Sequence, residues 1–137
     1  MPPGHATVDH TADLALALWA ASEVELLVEG ARAVVEELTE GAVIAAREGR
    51  LVRVEALDGP DRLVRWLNEV LFLALTEGFL LADAEITLRP DGLDARLRGE
   101  IAGAGRIRHE LKSVTYHDLQ LEERSDGTWQ ARLVIDV

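Results

Sequence analysis

The stretch L-A-L-A-L-W-A-A-S-E-V-E-L-L, residues 14–27, changes its periodicity once, and that change decides the fold class. From Leu14 to Ala20 the run is apolar throughout. Leu14, Leu16 and Leu18 share one side, and Ala15, Ala17 and Trp19 share the other. Such a run predicts a strand covered, or nearly covered, on both faces. At Ser22 the period becomes helical. S-E-V-E is a capping box, in which the Ser22 hydroxyl accepts from the Glu25 N–H and the Glu25 side chain reaches back. Leu26, Leu27, Ala31, Val34, Val35 and Leu38 then recur at helical spacing, and Gly41 is a natural terminator.

The same two periods account for the rest of the chain. Thr7 to Asp9 is the end of a short strand. Ala42 to Arg47 and Leu51 to Leu57 are expected as two strands joined by a tight turn at E-G-R, with Arg53 and Glu55 on a wet face. D-G-P-D stops the second of them and opens a helix, with Pro60 near its first turn, where a missing N–H does no harm. Leu63, Trp66, Leu67, Val70, Leu71 and Ala74 form its apolar stripe, and Gly78 ends it. Leu81 to Arg89 and Leu93 to Glu100 are strands about a P-D-G hairpin turn. I-A-G-A-G-R-I-R-H-E is a loop by composition. Leu111 to Glu123 and Trp129 to Asp136 are strands about S-D-G. The expected fold is α+β: a two-layer, mixed but mainly antiparallel sheet with two amphipathic helices on one face, forming a single domain over residues 1–137.

Composition narrows the function classes. With 137 residues and 48% hydrophobic content, the chain is long enough to bury a core. No window approaches the ~18–20 apolar residues of a membrane span. The start M-P-P-G-H does not resemble a signal peptide, so a cytoplasmic location is expected and no membrane partner. The absence of cysteine excludes disulfides, thiol catalysis and Cys-based zinc sites. Fourteen basic residues against twenty-five acidic ones give a net charge of −11. That charge repels phosphate backbones, so direct tight nucleic-acid binding is not expected. Arg106, Arg108 and Lys112 make only a small basic patch. Hard cations or a basic protein partner suit the composition better.

Three segments carry residues with chemical potential. V-D-H-T-A-D gathers Asp9, His10 and Asp13 at the mouth of the first long strand. Alone it is equally a turn, since Asp and Thr side chains bond nearby backbone. L-V-I-D-V ends the chain, so Asp136 and the terminal carboxylate of Val137 fall on consecutive residues. L-K-S-V-T-Y-H-D-L alternates Val114, Tyr116 and Asp118 with Ser113, Thr115 and His117, as a strand with polar pairs does. Calcium takes six to eight oxygen ligands and magnesium six, so no one segment suffices as an ion site. No phosphate-binding glycine loop, G-x-S-x-G, H-E-x-x-H or EF-hand loop is present.

H-T-A-D near the start, W-L-N-E-V-L-F on the second helix, V-T-Y-H in a late strand and the terminal D-V together resemble the archease family, in order and spacing over nearly the whole chain. The loop before V-T-Y-H, which contains His109, is shorter than the family's usual one. The resemblance implies an acidic accessory protein, not an enzyme, that activates an RtcB-type RNA ligase in tRNA splicing and RNA repair by promoting guanylate loading onto the ligase. It implies a divalent ion, seen as calcium in the family, with magnesium or manganese as alternatives. The ligands on this chain would be Asp13, Asp136 and Val137. Lys112 matches a polar position of the family, and Asp9, His10 and His117 take supporting or partner roles. Two other readings stand beside it: a small metal-dependent hydrolase using the same carboxylates, and a chaperone-like modulator of tRNA methylation.

Overall fold

The computed structural model describes residues 2–8 and 13–137. Asp9 and His10 lie outside the described residues. Among those described, the chain runs β1 (Gly4–Val8), β2 (Leu14–Ala20), α1 (Glu23–Thr39), β3 (Glu48–Glu55), α2 (Gly59–Glu77), β4 (Phe79–Arg89), β5 (Gly92–Ile101), a short 3-10 turn at Ala104–Arg106, β6 (Ser113–Glu123) and β7 (Trp129–Asp136). The α+β class holds. The strands form two sheets, β1-β2-β7-β6 and β3-β5-β4, in place of one, and every ladder is antiparallel.

Both helices begin where the sequence predicts. The Glu25 N–H donates to the Ser22 hydroxyl at 3.1 Å, and the Glu25 carboxylate accepts the Ala21 N–H at 3.2 Å. The Asp61 N–H donates to Asp58 Oδ1 at 2.8 Å at the head of α2, just past Pro60. Helix α1 ends on Glu40 and Gly41, both with positive φ, and α2 ends on Gly78.

Each helix packs on strands of both sheets, so the helix pair is the layer the sheets share. Leu16, Leu18, Leu133 and Ile135 enter this core from one sheet; Leu93, Ala95 and Leu97 enter from the other. Close approach requires Gly30 on α1, where a Cβ would stand 3.1 Å from both Leu18 Cδ1 and Leu67 Cδ2. Trp66 lies fully buried between the helices, and its Nε1–H donates to the Leu27 carbonyl at 2.8 Å.

The expected strand at Ala42 to Arg47 is absent, and E-G-R lies inside β3 instead of turning. Pairing with β5 overrides the local turn signal, because Gly49 faces Arg98 and Arg50 faces Leu97 across the ladder. Residues 42–47 are an irregular connection. Side chains hold it by its carbonyls: Arg106 reaches Val43 and Arg98 reaches Ala46. The P-D-G hairpin forms as expected. At Gly92, with φ of 152°, a Cβ would meet the Val54 carbonyl oxygen at 1.9 Å, so the third strand closes on the turn only because the side chain is missing.

Candidate functional site

Strand β7 lies between β2 and β6, and this position brings the two ends of the chain together. The β2–β7 ladder pairs Leu14 with Ile135, and the β6–β7 ladder pairs Ser113 with Asp136. The next residue on each strand beyond Leu14 and Ile135 is an aspartate, Asp13 and Asp136. Side chains alternate along a strand. Ile135 points into the helix layer, so Asp136 belongs to the opposite face, with Val134, Thr115 and Ser113. Asp136 is exposed, and its side chain takes no hydrogen bond or ion pair among the described residues. Val137 follows it, 45% exposed. The Lys112 N–H donates to the Asp136 carbonyl at 2.8 Å, so Lys112 stands at the same end of the sheet.

This donor set suits a hard ion. It comprises carboxylates with no sulfur or imidazole, all at strand ends. It contains only two acidic side chains plus the chain terminus. Accordingly, no cluster of three His, Cys, Asp or Glu side chains occurs among the described residues. His117 lies on an irregular stretch of β6. Register is lost between Thr115 and Gln120, so Tyr116 to Leu119 bulge out of the ladder and Asp118 takes a φ of 52°. The expected alternation through V-T-Y-H-D therefore breaks after Thr115. His117 Nε2 lies 3.2 Å from Asp118 Oδ2, on the bulge.

The helix motif W-L-N-E-V-L-F explains what V-T-Y-H is attached to. Asn68 lies against the outer edge of β6. The Val114 N–H donates to Asn68 Oδ1 at 2.8 Å, and Asn68 Nδ2 donates to the Val114 carbonyl at 3.0 Å. Two residues on, the Tyr116 hydroxyl donates to Asp61 Oδ1 at 2.5 Å. Asp61 also accepts from the Leu57 N–H at 2.9 Å and from Arg65 Nε at 3.0 Å. The Tyr116 hydroxyl, the Leu57 amide and Arg65 together hold the Asp61 carboxyl below the usual carboxylate range, outweighing its burial. The same hydrogen bond to Asp61, with burial, pushes the Tyr116 phenol up. A carboxylate with its lone pairs so occupied is a structural anchor and not a base. Neither Asn68 nor Asp61 was singled out by sequence. Asn68 sits on the flank of an apolar stripe, and nothing local announces a backbone partner 46 residues away.

A second polar cluster ties β1 to α1. His5 bonds Glu29 through Nδ1 and Glu36 through Nε2. Burial lowers the His5 pKa, but the bonds to Glu29 and then Glu36 outweigh it, leaving it raised above 6.5. A raised folded-state pKa means that the protonated form favours folding. That contribution is fully present below pH 6.5 and is lost as pH rises through the folded value. The melting temperature should therefore fall between pH 6 and pH 9, and the fall should shrink in His5→Gln. An equal fall in both proteins, followed by calorimetry, would dismiss this contribution.

Of the basic residues Arg106, Arg108 and Lys112, Arg108 and Lys112 are exposed and Arg106 is half-buried. Arg106 pairs with Glu100 at 2.8 Å and donates to the Val43 carbonyl at 2.7 Å. The Arg108 and His109 N–H groups donate to the Leu38 carbonyl at the end of α1, and His109 Nε2 lies 2.8 Å from Glu40. A concavity of about 510 Å³ lies on the wet face of β3-β5-β4 beside the Arg53–Asp94 pair, and its lining includes neither Asp13 nor Asp136. No helix among the described residues is long and apolar enough to cross a membrane.

Comparison with known proteins joins these observations. The sequence pattern of the Archease protein family matches residues 5–137. Protein archease of Methanopyrus kandleri is 34% identical over 136 residues, covering 95% of this chain and 96% of its own. Protein archease of Archaeoglobus fulgidus is 32% identical over 133 residues, with coverage of 95% and 96%. The solution structure of Methanobacterium thermoautotrophicum protein 1598 superposes with a TM-score of 0.75 at 27% identity, covering 98% of this chain and 99% of that one.

Proposed function

The chain belongs to the archease family, and from that membership we propose that it is an accessory protein that activates an RtcB-type RNA ligase, using a divalent ion held by Asp13, Asp136 and the Val137 carboxylate. The observation that carries the reading is the family match, which begins at residue 5 and runs to the last residue of the chain. What supports the ion set is the strand order. Only with β7 beside β2 do Asp13 and the terminal D-V come to one end of one sheet. The net charge of −11 fits a protein that influences RNA chemistry through a protein partner without gripping RNA itself.

The roles of the residues follow from their positions. Asp136 presents its carboxylate on the face away from the helices, and Asp13 stands next to the β2 end that pairs with Ile135. Val137 adds the terminal carboxylate, and the Lys112 backbone holds the strand end in the sheet. The Lys112 ammonium is assigned to the partner contact around this point, His117 to a partner or supporting role on the neighbouring bulge, and Asp9 and His10 to partner or supporting roles. A bound calcium, magnesium or manganese ion supplies the positive charge needed near the triphosphate used in nucleotide loading. The ligase, GTP and divalent ion are incubated with and without this protein, and covalent guanylate on the ligase is measured over time. Faster loading and repeated turnover are expected. An unchanged rate would overturn the proposal.

A further inference from the structure

We propose that Asn68 is a positioning residue for the carboxylates at the end of β7. The inference rests on the ion-site reading of Asp13, Asp136 and Val137. Strand β6 is an edge of its sheet, so backbone groups facing away from β7 have no strand to meet. At Val114 both of them are taken by one side chain, as Asn68 accepts the N–H and donates to the carbonyl. The primary amide thus acts as a one-residue strand.

Its location gives this clamp a consequence beyond local stability. The bulge at Tyr116 to Leu119 divides the β6–β7 ladder in two. The part that reaches the chain terminus is only Ser113–Thr115 against Val134–Asp136. Val114 is the centre of that three-residue piece, and Ser113 beside it faces Asp136. The Lys112 N–H bonds the Asp136 carbonyl one step further on. Helix α2 therefore holds the short ladder through Asn68 at its centre and Tyr116 at its border with the bulge. Without Asn68, two half-buried backbone groups lose their partners, and the strand that aligns Asp136 is free to fray. Ion sites are sensitive to such support: loss of an outer partner typically weakens affinity about 10–100-fold.

The test compares Asn68→Leu with Trp66→Phe, which breaks the α2–α1 bond to Leu27 and leaves the Asn68 side chain in place. Two quantities are measured at a temperature where both are folded. One is amide exchange at Lys112 and Val114 in the metal-free protein, by NMR. The other is calcium affinity by titration calorimetry. Asn68→Leu is expected to speed exchange at both amides and to weaken calcium binding about 10–100-fold. Trp66→Phe is expected to lower the melting temperature but leave calcium affinity within about twofold, well short of the loss expected of a ligand's support. Asn68→Ala serves as the second variant if Asn68→Leu does not fold. Unchanged affinity in the Asn68 variant, or an equal loss in Trp66→Phe, overturns the proposal alone. Absence of saturable calcium binding by the unsubstituted protein overturns the ion-site reading and this proposal with it.

Discussion

Asp136→Asn should abolish most of the stimulation of ligase guanylylation while leaving the fold intact. The substitution is nearly isosteric, and it removes one charged oxygen donor of the proposed set. For hard-ion sites the affinity tracks the number of charged ligands, so a loss on the order of a hundredfold in calcium affinity is expected. The Asp136 side chain is exposed and makes no hydrogen bond or ion pair among the described residues. Unfolding free energy should therefore change by no more than about 0.5 kcal/mol. The experiment reads three quantities on the same preparation: calcium titration, denaturant unfolding and the rate of covalent guanylate formation. Extending the chain by one residue after Val137 moves the terminal carboxylate away and should weaken the same titration. Full stimulation by Asp136→Asn would remove the carboxylates from the mechanism, even if the ligase remains the partner.

Trp66→Ala should have the opposite profile, with a large loss of stability and no direct effect on ion binding. The indole is fully buried where α1 and α2 meet, and its N–H bonds the Leu27 carbonyl. Deleting a buried aromatic side chain costs about 3–5 kcal/mol through lost transfer energy and the cavity left behind. The lost hydrogen bond adds about 1 kcal/mol. Against a typical domain stability of about 5–15 kcal/mol, the variant would stand near the edge of folding. Trp66→Phe keeps most of the packing and should lose only about 1–2 kcal/mol. Urea unfolding at constant pH measures both, and a Trp66→Ala loss below about 2 kcal/mol would mean the helix interface collapses to fill the space.

The contrast between these two sites matches how each one is written in the chain. Trp66 was legible because its neighbours in sequence announce it. Leu63, Leu67 and Val70 complete one helical stripe, and that stripe must face a core. The capping box at Ser22, the D-G-P-D start of α2 and the P-D-G and S-D-G turns were legible for the same reason, as each is decided within four or five residues. Local signals misled where a partner strand had more to offer. E-G-R has turn chemistry, but β5 supplies a ladder along the whole of β3. Ala42 to Arg47 has the apolar content of a strand but meets β5 only at its last residue, where the Arg47 N–H donates to the Gly99 carbonyl at 2.9 Å; Val43 is left 91% exposed.

By itself the sequence determined the α+β class, the two helices with their caps and buried stripes, the hairpin turns, the acidic charge and the motifs that mark the family. Tertiary structure alone decided that the strands divide into two sheets, that β7 inserts between β2 and β6, and that β6 bulges after Thr115. It also decided that Asn68 stands in for a missing strand. The physical reason is range. Periodicity, capping and turn chemistry act between residues a few positions apart. Strand order and register are settled by which distant edges bury the most apolar surface and leave the fewest backbone groups unpaired. The neighbourhood of Asp13 and Asp136 depends wholly on the second kind of choice, since the whole of the helix layer lies between them in the chain.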